Sequence, residues 1–322
     1  MKRLVTFLVS MPIGAYLALS VAAVAGGYPA IPSFFADAPA PTIVATLAAG
    51  VAAVAFVLGI ATGDYSWVDR LWSTAPPVFA WVYAAKAEYA PPVAIAAVLV
   101  TVWGARLTFN FARRGGYTTM EDYRWVILRE RITKAAAWQT FHLLFICSFQ
   151  VALFVGFTLP IFALGEAGSA RILPAFYAFL VLGVAAIVWE TVSDEQQWRF
   201  QNAKRAPRDS TRGIDRDDIR RGFRTNGLYR FSRHPNYFGE LAVWWSLYLM
   251  AVAQLGTVLD VMIVGPVLLT ALFIGSTRFT ESITRTRYPE YDAYRARTSA
   301  IFPWPAGRRR ELQSPRREPA NT

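Results

Sequence analysis

One pattern recurs along most of this chain: apolar runs of about twenty residues, separated by short polar stretches. A bilayer's hydrocarbon core is roughly 30 Å thick, and a helix needs about 20 residues to cross it. Water offers no hydrogen bonds in that layer, so each crossing segment must satisfy its own backbone, which makes such runs helices. They fall at about 4–26, 42–62, 70–88, 92–112, 138–164, 172–192, 237–254 and 258–276. The expected fold class is all-α, a polytopic transmembrane helix bundle of seven to eight spans. Composition agrees. The 322 residues are 54% hydrophobic and 17% charged, against about 45–50% and about 25% in soluble domains. So apolar a chain is not intrinsically disordered.

The third run contains Pro76, Pro77 and Lys86 and starts beside Asp69 and Arg70. It reads either as a true span or as a half-buried helix lining a cavity. Charge distribution bears on the count. Segment 113–134 has six basic against three acidic residues, 193–236 eleven against six, and 277–322 ten against five. Connections 27–41 and 165–171 carry almost no positive charge. Basic segments stay cytoplasmic, which places all three, with the C-terminus, on the inner side of a membrane, expected to be the bacterial inner membrane. Eight spans put Lys2 and Arg3 there too, whereas seven put them outside; eight is preferred. Lys2, Arg3, the first run and Ala23-Val-Ala25 also resemble a signal peptide, but the run is long for one, which favours an uncleaved helix. Residues 1–41 then form a first helix and outer loop, 42–305 the membrane domain, and 306–322 a basic disordered tail.

The net charge is +11. Its placement beside spans points to acidic membrane lipids, and no nucleic-acid partner is expected. Cys147 is the single cysteine, which excludes an intramolecular disulfide and a Cys-rich metal site. With His142 and His234 the only histidines, no metal site is expected.

Chemistry concentrates in five clusters. The densest is Gly227–Glu240, with Tyr229, Arg230, Arg233, His234, Asn236, Tyr237 and Glu240. Pro235 suits the first turn of a helix. The free N–H groups of that turn, with Arg230 and Arg233, suggest a phosphate or carboxylate site; a helix start that binds lipid headgroups is the plainer alternative. In the second, Glu190, Asp194 and Gln197 share one helical face, either as a polar stripe for a ligand or as a span fraying into solvent. The third sets Arg106 and Asn110 within an apolar helix and Asp122 and Arg124 after it; a snorkelling Arg106 is the alternative. The fourth, Ser66–Trp72, places Asp69 between two tryptophans at the edge of the third run, where an interfacial Trp belt would also fit. The fifth runs from Glu281 through Tyr288 to Trp304, an amphipathic segment returning to the membrane surface, with Tyr291, Tyr294 and Arg295 able to close a pocket. His142 and Asp260, isolated in apolar runs, read as helix–helix hydrogen bonds. The chain has no P-loop, no glycine-rich dinucleotide fingerprint after a strand and no HExxH motif.

With Arg-His-Pro-Asn-Tyr at its centre, Gly227–Glu240, together with Glu190–Phe200, Trp103–Arg106, Glu121–Trp125 and Tyr288–Trp304, resembles the bacterial branch of the steroid 5-alpha-reductase C-terminal superfamily, over roughly 42–305. The resemblance implies an integral-membrane oxidoreductase that binds NADPH and reduces a conjugated C=C bond of a steroid-like or other lipidic enone. Membrane lipids and a lipidic small-molecule substrate are the implied partners. It implies catalytic roles for Asp69 and Trp103, at the positions that polarise the enone carbonyl. Cofactor-binding roles fall to Arg106, Asp122, Arg124, Glu190, Asp194, Gln197, Tyr229, Arg230, Arg233, His234, Asn236, Tyr237, Glu240 and Arg295. Trp103 replaces the family's tyrosine and Asp69 its glutamate, which bears on steroid specificity. The Arg-His-Pro-Asn-Tyr and Tyr-Pro-Glu-Tyr elements are shared with S-adenosylmethionine-dependent isoprenylcysteine and phospholipid methyltransferases, which gives a second reading. A transporter or scaffold is the third.

Overall fold

The computed structural model describes residues 37–118, 120–168, 171–205 and 216–305. The expected first span, with its signal-peptide alternative, and the basic tail lie outside these residues. Among the described residues the chain is helical, with one isolated parallel bridge, Ser232 to Ser299, and no strand. We number the helices α1 Ala40–Thr62, α2 Trp67–Leu71, α3 Ala75–Lys86, α4 Pro91–Arg113, α5 Tyr123–Arg131 and α6 Ala135–Glu166. They continue with α7 Pro174–Arg205, α8 Arg216–Arg221, α9 Pro235–Leu255, α10 Val264–Arg287 and α11 Tyr291–Arg295.

Six helices among the described residues are long and apolar enough to cross a membrane: α1, α4, α6, α7, α9 and α10 with its preceding turn. This is a polytopic membrane helix bundle. Prolines start several of these helices, where a missing N–H costs nothing; α3 and α4 both carry proline in their first turn. Gly63 ends α1 at φ 65°, its N–H returning to the Gly59 carbonyl, a left-handed stop that glycine adopts without strain. Within α6 the hydrogen bonding widens to a π-helix over His142–Phe149. Phe141, Phe145 and Phe149 stack along this stretch, with centroids 5.0 and 5.5 Å apart.

The expected third span takes a different form. It is not one long helix but the pair α2 and α3, and α3 at twelve residues is only about 18 Å long. The chain nevertheless traverses the bundle here. Residues just before and within α2 bind the segment after α4: Tyr65 N–H donates to Glu121 Oε1 at 3.1 Å, and Arg70 Nε to the Gly116 carbonyl at 3.0 Å. Both segments therefore share one face. From there α3 runs antiparallel to α4, with Ser73 Oγ 2.7 Å from Thr108 Oγ1 and Trp81 Nε1 donating to Thr101 Oγ1 at 2.9 Å. The chain from Trp72 to Ala90 thus reaches the opposite end of α4. Phe79 to Ala84 are all buried, so this crossing is enclosed by protein, and the polar residues at its start find protein partners. Asp260 also differs from expectation: it is exposed in the turn before Val261–Ile263 and lies outside the span.

The chain divides into two compact units. The first runs up to Ile187 and includes Leu241–Ala271. Its core is an aromatic column in which Trp72 meets Phe154 edge-on at 5.0 Å, Phe157 lies 4.0 Å from Trp244, and Trp244 lies 4.7 Å from Trp103. Small residues set the closest helix approaches: a Cβ on Gly265 would run into the backbone of Gly156. The second unit comprises Val188–Glu240 and the chain from Leu272. Phe223, Tyr291 and Tyr294 form its aromatic core, with Tyr288 packed against it.

Candidate functional site

In the first unit the polar chemistry gathers around Asp69. Asp64 Oδ1 accepts from Ser66 N–H at 3.1 Å, a local turn that delivers the chain into α2. Ser66 Oγ in turn accepts the Asp122 N–H at 2.8 Å. Asp122 caps α5 by accepting the Arg124 N–H at 2.8 Å, and its two oxygens take the Arg124 guanidinium at 2.9 and 2.7 Å. One residue further, Trp125 Nε1 donates to Asp69 Oδ2 at 2.6 Å. Arg70 is a buried clamp: it pairs with Asp64 at 2.7 Å, holds the Gly116 and Met120 carbonyls and lies over the Trp67 ring.

These neighbours decide the protonation of Asp69. Burial pushes its carboxyl up from the usual 3.8 to about 6, and the Asp122 carboxylate pushes the same way. Arg124 and the bonds from Trp125 and Ser66 pull it down, but not enough to offset the rise. Arg124 is spent on Asp122, so the two charges largely cancel at Asp69 and desolvation prevails. The fold thus brings together Asp69, Asp122 and Arg124 from the candidate set. Trp103 belongs to the aromatic column of the same unit, fully buried against Trp244. Arg106 is half-buried on α4. His142 is buried with its ring against Phe56 and Tyr65 at 4.9 and 4.7 Å.

In the second unit the cluster centres on Glu281, which the sequence places in the fifth motif without a role. Arg233 Nε and Nη2 grip its two oxygens at 2.6 and 3.1 Å, and Arg295 Nε donates to Oε2 at 2.9 Å. His234 Nε2 lies 3.2 Å from Oε1, and Tyr291 OH donates to the same oxygen at 3.4 Å. The remaining Arg233 nitrogen reaches the carbonyls of Arg295 and Thr298. Backbone bonds hold the partners in place, Arg233 N–H to the Ser299 carbonyl at 2.8 Å and His234 N–H to Ala300 at 3.0 Å. The anion that Arg233 was expected to bind is therefore supplied internally by Glu281. Glu281 is the one carboxylate of α10, just past its apolar stretch, and a carboxylate buried there needs a cationic partner.

The other candidates of this unit surround that cluster. Tyr237 stacks on His234 at 5.1 Å. Tyr229 is buried, and its carbonyl accepts from Tyr294 OH. Arg230 is exposed and lies over Phe231 at 4.6 Å. Glu190, Asp194 and Glu240 are buried; a Cβ on Gly239 would come within 3.0 Å of the Glu190 Cα, so α7 and α9 touch there through glycine. Gln197 presents a buried Oε1 with no hydrogen bond among the described residues. Asn236 is half-buried one residue into α9.

Comparison with known proteins matches residues 55–298 to a family described as "Protein of unknown function (DUF1295)". The chain belongs to this family. An uncharacterized protein of Schizosaccharomyces pombe is 34% identical over 271 residues, 78% of each chain. No solved structure matches. The matched stretch starts within α1 and ends at Thr298, so it contains both the Asp69 site and the Glu281 cluster.

Proposed function

We propose that this DUF1295 protein is a membrane reductase that uses NADPH to saturate the conjugated C=C bond of a lipidic enone. The feature that carries this reading is Asp69, whose carboxyl is anchored through one oxygen by Trp125 at 2.6 Å and is pushed up by burial to about 6. A carboxyl raised in this direction keeps more of its protonated form near neutral pH than an ordinary aspartate does. It can therefore donate a hydrogen bond to a carbonyl oxygen as negative charge develops there, where a pre-placed donor lowers the barrier. The resemblance of the surrounding motifs to the steroid 5-alpha-reductase superfamily supports the same assignment.

In the second unit several polar side chains support a nucleotide as the ligand. Gln197 Oε1, a buried acceptor with no hydrogen bond among the described residues, would suit a ribose hydroxyl or a carboxamide N–H. Asn236, Tyr237 and Arg230 would hold the remainder, while Arg233 and Arg295, neutralised by Glu281, would act by positioning. When bound, NADPH would supply the hydride. Asp69 would polarise the enone carbonyl, and Trp125 would keep its carboxyl in place.

The test is ligand-dependent thermal stability of the detergent-purified protein with NADPH, NADH and S-adenosylmethionine, followed by NADPH oxidation with a panel of lipidic enones. The expected result is a shift with NADPH, and loss of turnover with retained binding in Asp69→Asn. A shift with S-adenosylmethionine alone would instead support a lipid methyltransferase and end the reductase reading.

A further inference from the structure

The second unit carries a cleft that shares only Arg295 with the proposed nucleotide site. It has a volume of about 430 Å³, within the range of small-molecule sites, and is lined by Arg295, Arg297, Thr298, Ser299, Phe302 and Trp304. The segment that forms it is pinned in place: Ser232 Oγ donates to the Ile301 carbonyl at 2.7 Å, and Trp304 N–H to the Phe231 carbonyl at 3.0 Å. Yet Phe302 and Trp304 remain 59% and 74% exposed.

Where these rings lie says what covers them. Phe302 contacts the ring of Phe238, with centroids 6.2 Å apart, and Phe238 is the fourth residue of α9, a membrane-crossing helix. The exposed rings are thus at the start of a span, the level at which Trp and other aromatics meet lipid headgroups. The cleft's charge is complementary to an anionic headgroup. Arg295 is shared with Glu281 and Asp292. Among the described residues the Arg297 side chain binds the Ala293 carbonyl alone, at 3.3 Å, and no acidic residue pairs with it. A guanidinium that is half-buried, held at its Nε and without a carboxylate among the described residues presents its remaining N–H groups in the geometry that takes phosphate oxygens.

We propose that this cleft binds one anionic phospholipid of the surrounding bilayer, with its phosphate on Arg297 and its acyl chain along Phe302 and Trp304. The site holds the Tyr288–Trp304 segment against the membrane surface at the entrance of α9.

Native mass spectrometry of the full chain, purified in detergent and offered phosphatidylglycerol or phosphatidylcholine, tests this. One phosphatidylglycerol should be retained in preference to phosphatidylcholine. Arg297→Gln should lower that retention at least about fivefold, the equivalent of one basic residue at a membrane surface, and Trp304→Ala should lower it as well. Arg220→Gln, which removes an equal charge from a highly exposed position, should leave it unchanged. Equal retention of the two lipids overturns the proposal, as does wild-type retention in either Arg297→Gln or Trp304→Ala. An equal loss in Arg220→Gln would reveal general charge attraction, and displacement of the lipid by inorganic phosphate would reveal a free-anion site; both also overturn it.

Discussion

Trp125 Nε1 donates to Asp69 Oδ2 across 2.6 Å, joining residues 56 apart in sequence. The bond stabilises the ionised carboxylate, so it opposes the burial that raises the Asp69 midpoint to about 6. Trp125→Phe keeps most of the ring and removes the donor. The midpoint should move upward in this variant, read from the carboxyl stretch in infrared difference spectra, with Asp69→Asn identifying the band. A midpoint that stays put or falls would mean the indole has no hold on the proton.

The same group makes stability depend on pH in a defined direction. Its folded-state midpoint lies above the ordinary aspartate value, so between about pH 4 and 6 the folded protein binds more protons than the unfolded chain. Stability from this group therefore falls as pH rises through that window, by at most about 3 kcal/mol. Asp69→Asn keeps an oxygen for Trp125 and has no charge to bury. It should melt at the wild-type temperature below pH 4 and above it from pH 6 upward. Parallel melting curves across the whole range would contradict a raised midpoint.

Hydropathy and length alone placed most of the spans, because both are local properties. The runs at about 42–62, 92–112 and 237–254 correspond to α1, α4 and α9 with slips of one or two residues. Two departures have tertiary causes. Residues 70–88 cross as short pieces because Ser73 and Arg70 find partners on α4 and in the loop after it. The run beginning at 172 continues as helix to Arg205, because Glu190 and Asp194 are buried within the second unit and do not fray into water. Within the sites, the motif residues were visible but their pairings were not. Nothing local marks Glu281 as the counter-ion of Arg233, 48 positions away, or Trp125 as the donor to Asp69, 56 positions away.

The Glu281 cluster should be a structural keystone. Glu281 is 4% exposed and the Arg233 side chain 9%, so removing the carboxylate leaves the buried Arg233 without its counter-ion. Such a loss costs about 3–5 kcal/mol. Glu281→Gln should lower the melting temperature of the detergent-solubilised protein by several degrees. Asp292→Ala, which breaks pairs to the exposed Arg285 and half-buried Arg295, should change stability by no more than about 1 kcal/mol. If the two variants melt alike, the buried cluster contributes no more than a surface pair.

Two glycines give opposite expectations for the same substitution. A Cβ on Gly265 would meet the carbonyl carbon and oxygen of Gly156 and the amide of Phe157, all backbone atoms that cannot rotate away. Gly265→Ala must push the helices apart and should cost about 1–3 kcal/mol, as overpacking does elsewhere. Gly50, within α1, has nothing within 4 Å of its would-be Cβ. Gly50→Ala only removes backbone freedom from a helix and should be neutral or stabilising by up to about 1 kcal/mol. Melting temperatures of the two variants, measured in one detergent, should fall on opposite sides of wild type or leave Gly50→Ala equal to it. A harmless Gly265→Ala would mean that the contact at Gly156 is looser than its backbone approach requires.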